Sequence, residues 1–367
     1  MSKTILTVVG TRPQLVKAAA VSRILRQLFN EIFVDTGQHY DYTMAGVFYE
    51  ELDIPKPDYM LGIGSGTHAE QTGRMLIELE KVMMSHSPDA VLVYGDTNST
   101  LAAALAASKL HIPVVHVEAG LRSFNRRMPE EINRVVTDHL SSLLFSPTVQ
   151  AVEQLRKEGI TNHVYLVGDV MYDAVLYYWS KAEELCSLQK FGVEKRSYVL
   201  VTIHRAENTD QPERLSAIVR SLTKLDYPIV FPMHPRTKKA LNQIGLLDTL
   251  LHSSHIQVTE PVSYLEMLHL ERHALAIVTD SGGVQKEAYF AKVPCFTLRD
   301  ETEWTETVEV GWNRLVDPLT EDLSKIIHSF SPPPYVDGLY GDGQAAKKIV
   351  HHLQDWLKEV SHGASSW

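Results

Sequence analysis

Ile5-Leu6-Thr7-Val8-Val9-Gly10-Thr11-Arg12-Pro13-Gln14-Leu15 is the stretch from which the fold can be read. A buried-strand run, Ile5–Val9, ends on a glycine that permits a tight turn. Pro13 follows at a position suited to the first turn of a helix. From Leu15 to Phe29 apolar residues return at three- and four-residue steps, the period of a helix with one buried face. Ile32–Val34 then reads as a second strand. Strand, helix, strand in that order predicts a parallel sheet covered on both faces.

The pattern continues outward from this unit. Ala90–Tyr94 and Val114–Val117 read as strands, with an Ala-rich helix around Leu101–Leu110 between them. It begins again past the midpoint, where Tyr198–Ile203, Ile229–Pro232 and Ala276–Thr279 are short apolar strands separated by helical segments. Two such series predict two doubly wound domains facing a central cleft. They divide near Gly168–Asp173, with 1–170 as the first domain and 171–367 as the second. The final helical stretch, roughly Gln344–Val360, is expected to pack back across that boundary.

Bulk properties narrow the function. Of the 367 residues 44% are hydrophobic and 22% charged, a globular balance. The net charge of −10 argues against nucleic acid or an anionic membrane as partner, so a bound anion must be held by a local cluster of donors. Cys186 and Cys295 have no metal-ligand spacing and suit a reducing compartment. The N-terminal run is too short for a signal peptide, no run approaches a membrane span, and the expected location is the cytoplasm. No metal constellation is apparent among the 17 histidines.

In open parallel sheets the ligand sits beyond the carboxyl ends of the strands, and five constellations fall there. Gly10-Thr11-Arg12-Pro13-Gln14 offers a helix N-terminus and a guanidinium for phosphate, with Lys17 about one turn on. Gly95-Asp96-Thr97-Asn98-Ser99 delivers a carboxylate, unless Asp96 merely caps the helix; Thr97 and Ser99 are the other capping candidates. Glu118-Ala119-Gly120-Leu121-Arg122 ends a strand, and Pro129-Glu130-Glu131-Ile132-Asn133-Arg134 starts a helix. Ile132, Val135, Val136, Leu140 and Leu143 are expected to mark that helix's buried face, and Glu130 and Arg134 to pair across one turn. Asp96, Glu118 and Glu130 or Glu131 can converge, pushing their pKa values apart as acid–base work requires.

In the second half, His204-Arg205-Ala206-Glu207-Asn208 and His234-Pro235-Arg236 put imidazoles and guanidiniums at one sheet edge. Asp280-Ser281-Gly282-Gly283-Val284-Gln285-Lys286-Glu287 places two glycines at a helix start, where backbone N–H groups can approach a pyrophosphate. Glu287, one turn on, can accept ribose hydroxyls. The G-x-G-x-x-G dinucleotide spacing is missing, which disfavours a nicotinamide dehydrogenase, and Gly62–Gly66 reads as a flexible loop.

Taken in order and at their distances, these motifs resemble the non-hydrolysing UDP-N-acetylglucosamine 2-epimerases over nearly the whole chain. The resemblance implies a GT-B fold, a homodimer, no cofactor, and UDP held mainly by the second domain. It implies catalytic roles for Asp96, Glu118, Glu130 and His204, with Lys17 and Arg134 as supporting cations. Arg12, Asn208, His234, Ser281, Gly282, Gly283 and Glu287 would bind the UDP-sugar. The implied chemistry eliminates UDP as the C2 proton leaves, giving a 2-acetamidoglucal, and re-adds it after the proton returns to the opposite face.

Two departures bear on specificity. Gln14 stands where many members have Glu, and Gln38-His39-Tyr40-Asp41 replaces the usual Gln-His-Arg tract of the region where a second UDP-GlcNAc activates many bacterial members. With the short loop Ser123–Met128 and Leu339-Tyr340-Gly341-Asp342-Gly343, they resemble the branch acting on UDP-2,3-diacetamido-2,3-dideoxyglucuronic acid for surface polysaccharides such as O-antigen. On that reading Arg126 or Arg127 meets the extra carboxylate. The alternatives are a UDP-N-acetylglucosamine 2-epimerase, a hydrolysing epimerase, a GT-B glycosyltransferase and a non-catalytic sugar-nucleotide sensor.

Overall fold

The computed structural model describes residues 2–38 and 49–362. The chain forms two compact units, one made of the chain up to Ala174 and again from Gly338 onward, the other of Val175–Asp337. In the first, β1 (Thr4–Val9), α1 (Arg12–Leu28), β2 (Asn30–Asp35), β3 (Tyr59–Met60), α2 (His68–His86), β4 (Ala90–Tyr94) and α3 (Asn98–Lys109) come first. They are followed by β5 (Val114–Val117), α4 (Pro129–Leu140), β6 (Leu143–Ser146), α5 (Val149–Lys157) and β7 (Val164–Leu166). The division between the units falls inside α6 (Val170–Leu185).

The second unit runs β8 (Val199–Thr202), α7 (Ala206–Thr209), α8 (Pro212–Thr223), β9 (Ile229–Pro232), α9 (Pro235–Gln243), α10 (Leu247–Leu251) and β10 (Ile256–Thr259). It continues through α11 (Tyr264–His273), β11 (Ala276–Thr279), α12 (Gly282–Phe290), β12 (Cys295–Thr297), α13 (Thr305–Glu309), β13 (Asn313–Leu315) and α14 (Leu323–Ser329). The last helix, α15 (Ala345–His362), packs on α1. Asp173 holds its first turn by accepting from Ala345 N and Ala346 N at 3.1 and 2.8 Å, and His352 stacks on Tyr165 with ring centroids 4.1 Å apart.

Both sheets are parallel, with orders β3-β2-β1-β4-β5-β6-β7 and β10-β9-β8-β11-β12-β13. The α/β, doubly wound class expected from the sequence is the one observed. Buried branched residues cover the sheets, among them Leu6, Val8, Val91 and Val93 in the first unit and Val199, Val201, Ile229 and Val278 in the second. Strands covered on both faces read as continuous apolar runs, which is why the sequence betrayed them. Leu143 is a correction: it opens β6 rather than extending a helix, because Ser141 and Ser142 end α4 and hand the chain to β5 through the Ser142 N to Val114 O bond. In each sheet the strand order reverses beside the first strand, at β1/β4 and at β8/β11. These two switch points are where such sheets accept ligands. Among the described residues no helix is long and apolar enough to cross a membrane.

Candidate active site

At the β1/β4 switch point two turns are laced together by Gln14. Its side-chain oxygen accepts from Gly10 N at 2.9 Å, and its amide nitrogen lies 2.7 Å from the Tyr94 carbonyl and 2.9 Å from the Thr97 and Thr100 hydroxyls. An amide both donates and accepts, so Gln14 can join a backbone donor to a backbone acceptor in one buried side chain. Arg12 is exposed at the start of α1, and Lys17, one turn on, is buried and ion-paired to Glu118. Glu118 follows β5 with φ +75°, a left-handed backbone uncommon for a side chain with Cβ. Its amide and that of Ala119 both donate to the Phe145 carbonyl, and this holds the conformation. Gly95, at φ +61°, makes room for the pair. A Cβ there would lie 3.2 Å from a Glu118 carboxylate oxygen and 3.7 Å from Lys17 Nζ.

Asp96 does not cap α3. Thr97 occupies that place, its hydroxyl accepting from Thr100 N, and Asp96 is instead ion-paired to Arg134. Arg134 also reaches Glu131 at 3.0 Å. Glu131 accepts from Ser123 N, Ser123 Oγ and Phe124 N at 2.8, 3.0 and 3.0 Å, pinning the loop that precedes α4. Burial pushes its carboxyl up, but the Ser123 bonds, the Arg134 charge and the Phe124 amide outweigh that and leave it below the usual range.

The helix phase corrects the sequence reading. Glu130 is exposed, and its neighbour Glu131 takes Arg134. Ile132 is 50% exposed, while Glu131, Asn133, Arg134, Thr137 and Asp138 form the buried face. That face is polar because it lines the site. Asn133 donates to the Asp96 carbonyl at 2.9 Å. Asp138 accepts from Gly120 N at 3.1 Å and from Arg122 at 2.7 Å, and lies 2.7 Å from His116 Nδ1. His116, fully buried, reaches the Gly95 carbonyl through Nε2 at 2.8 Å. Arg122 is completed by Glu158 at 2.8 and 2.7 Å. The local sequence signals this network only through His116, a polar residue in a strand whose other residues, Val114, Val115 and Val117, are apolar. Gln38 is tied to Ser99 at 2.7 Å, and His39, Tyr40 and Asp41 lie outside the described residues.

At the β8/β11 switch point Asp280, fully buried, accepts from His204 N at 3.0 and 3.1 Å and from Arg205 N at 2.9 Å. His204 Nε2 is 3.9 Å from the same carboxylate, and its ring lies 5.5 Å from that of the exposed His234. Burial lowers the His204 pKa; Asp280 opposes this, and Arg205 and Arg236 add to it. Asn208 is 0% exposed. It donates to Asp280 and to the Leu298 carbonyl at 3.0 Å each and accepts from Arg214 at 3.0 Å. With both ends of its amide so engaged, Asn208 frames the His204 turn.

Ser281 precedes α12 without a side-chain cap, leaving the N–H groups of the first turn for another acceptor. Gly283 is open, whereas a Cβ on Gly282 would meet a Glu303 carboxylate oxygen at 2.5 Å. Glu287, largely buried, accepts from the Tyr264 hydroxyl at 3.1 Å. Lys286, which the sequence left without a role, sits with Nζ 3.7 Å from the centre of the Trp304 ring. Metal-capable groups also converge where sequence spacing gave none: Glu183, His269 and His273.

Known proteins resemble the chain over nearly its whole length. The family model described as UDP-N-acetylglucosamine 2-epimerase matches residues 23–354. A Methanococcus maripaludis protein named UDP-N-acetylglucosamine 2-epimerase homolog is 50% identical over 96% of this chain and 99% of its own. The UDP-2,3-diacetamido-2,3-dideoxy-D-glucuronate 2-epimerase of Pseudomonas aeruginosa is 48% identical over 95% of this chain and 99% of its own. A crystal structure of Methanocaldococcus jannaschii UDP-GlcNAc 2-epimerase in complex with UDP-GlcNAc and UDP superposes with a TM-score of 0.86 at 47% identity, covering 96% of this chain and 99% of that one.

Proposed function

Because this chain belongs to the UDP-N-acetylglucosamine 2-epimerase family, an isomerase family acting on UDP-sugars, we propose that it inverts C2 of UDP-2,3-diacetamido-2,3-dideoxyglucuronate. The product is the manno epimer for surface polysaccharide synthesis. The C2 proton of a pyranose is barely acidic, since no carbonyl stabilises a carbanion beside it. Loss of UDP from C1 as that proton departs gives a 2-acetamidoglucal, and UDP adds back after the proton returns to the other face. The sequence of steps is redox-neutral and calls for no cofactor, only acids, bases and cations.

The observation that carries this reading is the pairing of carboxylates with buried cations at the ends of β4 and β5. Lys17 on Glu118, and Arg134 between Asp96 and Glu131, fix the direction of those carboxylates. Asp96, Glu118, Glu130 and His204 are the proposed proton-transfer groups. With its pKa lowered by burial from the ordinary value, His204 is neutral near pH 7 and can accept a proton there. The open first turn of α12 with Ser281, Gly282 and Gly283 suits the diphosphate and Glu287 the ribose, and Arg12 and His234 are further proposed ligands of the UDP-sugar.

Two observations support the uronate. One is the Pseudomonas aeruginosa relative; the other is the loop Ser123–Met128, which Glu131 holds down and which carries Arg126 and Arg127 exposed. The second reading, epimerisation of UDP-N-acetylglucosamine, is supported by the Methanococcus relative and by the structure bound to that sugar. A cytoplasmic homodimer belongs to the proposal, and light scattering tests its stoichiometry.

Proton NMR in deuterated water, with each sugar supplied separately to purified enzyme, decides between them. Deuterium at C2 and a manno signal from the uronate alone is the expected result. Turnover of UDP-N-acetylglucosamine alone replaces the substrate and keeps the chemistry. Exchange with neither overturns the proposal for both sugars.

A further inference from the structure

The geometry points to a transition-metal site of the zinc class in the second unit, formed by His269 and His273 of α11 with Glu183 of α6. The two histidines are four residues apart, so one helix face presents both rings. Their centroids lie 4.8 Å apart at 76°. Glu183 comes from 90 residues before His273 and approaches its Nε2 to 2.5 Å. One ligand atom from each of the three residues lies within 4.8 Å of the others. Zinc–ligand bonds of about 2.0–2.1 Å set tetrahedral ligand separations near 3.3 Å, so closure needs side-chain shifts of about 1 Å.

A second observation points to a ligand. His269 is 5% exposed, and its Nδ1 is buried with no hydrogen-bond partner, a nitrogen whose lone pair or proton the protein leaves unused. Such a group costs free energy unless something occupies it. Two nitrogens and one carboxylate with a fourth position for water form a three-ligand zinc set, and imidazole suits this part of the metal series.

Lys195 and Arg272 now neutralise Glu183 from 3.8 and 3.6 Å. Lys195, the more exposed of the two, can turn away when a dication takes its place, whereas Arg272 is also held over the Trp179 ring at 4.9 Å. This makes a prediction that a simple ion-pair cluster does not: removing Lys195 should tighten metal binding.

The test uses the full chain stripped with chelator and titrated with Zn²⁺ alone, read by calorimetry, bound-metal analysis and the thermal unfolding midpoint. The expected result is one Zn²⁺ per chain and a raised midpoint. Affinity should fall at least about tenfold in His269→Gln and His273→Gln, and rise in Lys195→Met. Unchanged affinity in both histidine variants, or no stoichiometric binding by the wild type, overturns the site. Lys195→Met alters an exposed group, so it remains informative if a histidine variant folds poorly. None of these readouts uses turnover, so the outcome stands apart from the epimerase proposal.

Discussion

Replacing Asp138 by Leu removes the acceptor on which three buried donors converge. The carboxylate takes Gly120 N and Arg122 and faces His116 Nδ1, all without access to solvent. Leu has the same number of side-chain heavy atoms in the same branching and is somewhat bulkier, so the substitution opens no cavity and the main loss is electrostatic. Arg122 keeps Glu158, but the ring and the Gly120 amide lose their partner. Breaking a buried charged network from one side costs about 3–5 kcal/mol. At about 1.4 kcal/mol per factor of ten, 4 kcal/mol speeds amide exchange in β5 and α4 about a thousandfold. Asp138→Asn is the control. Its amide can turn its oxygen to Gly120 and Arg122 and give its NH₂ to His116 Nδ1, while Nε2–H stays on the Gly95 carbonyl. The charge facing Arg122 is lost and the His116 Nδ1 contact reverses its direction, which costs about 1–2 kcal/mol and speeds exchange about five- to thirtyfold. Hydrogen-exchange mass spectrometry reads both values segment by segment. Equal exchange in the two variants, or less than tenfold acceleration in Asp138→Leu, would refute the argument.

Glu118→Gln should lower C2 deuterium exchange by about 10²–10⁴-fold while calorimetry finds UDP affinity unchanged; exchange within threefold of wild type would remove Glu118 from the chemistry. Histidine NMR should place the His204 midpoint below 6.5, the ordinary value from which burial lowers it. The sign follows. The unfolded chain takes the proton first, so this group's contribution to stability is complete above about pH 6.5 and is lost as pH falls through the lower folded value. His204→Gln should flatten that limb of the stability–pH curve. Arg126→Gln or Arg127→Gln should reduce selectivity for the uronate over UDP-N-acetylglucosamine in competition, and no change in either variant would leave the loop arginines without that role.

What the sequence determined is local. The continuous apolar runs of β1, β4, β5, β8 and β11 report burial on both faces. Gly10, Gly95 and the Gly282–Gly283 pair mark turns at strand ends, so the α/β class and the position of most candidate residues were legible from spacing. Tertiary structure decided which side chains face inward. The period of α4 pointed to Ile132 and its apolar companions, but its interior is a polar site, and partners such as Asp96 and Ser123 turned Glu131 and Arg134 inward and left Glu130 and Ile132 exposed. Asn208 carries no local sign of its partner Asp280, 72 residues away. Gln14 looked like a departure from pattern until the Tyr94 carbonyl gave its NH₂ an acceptor. Glu183 and His273 share no local pattern at all. Periodicity and turn chemistry act over a few residues, whereas a hydrogen-bond partner is chosen by whichever distant segment the fold brings within 3 Å.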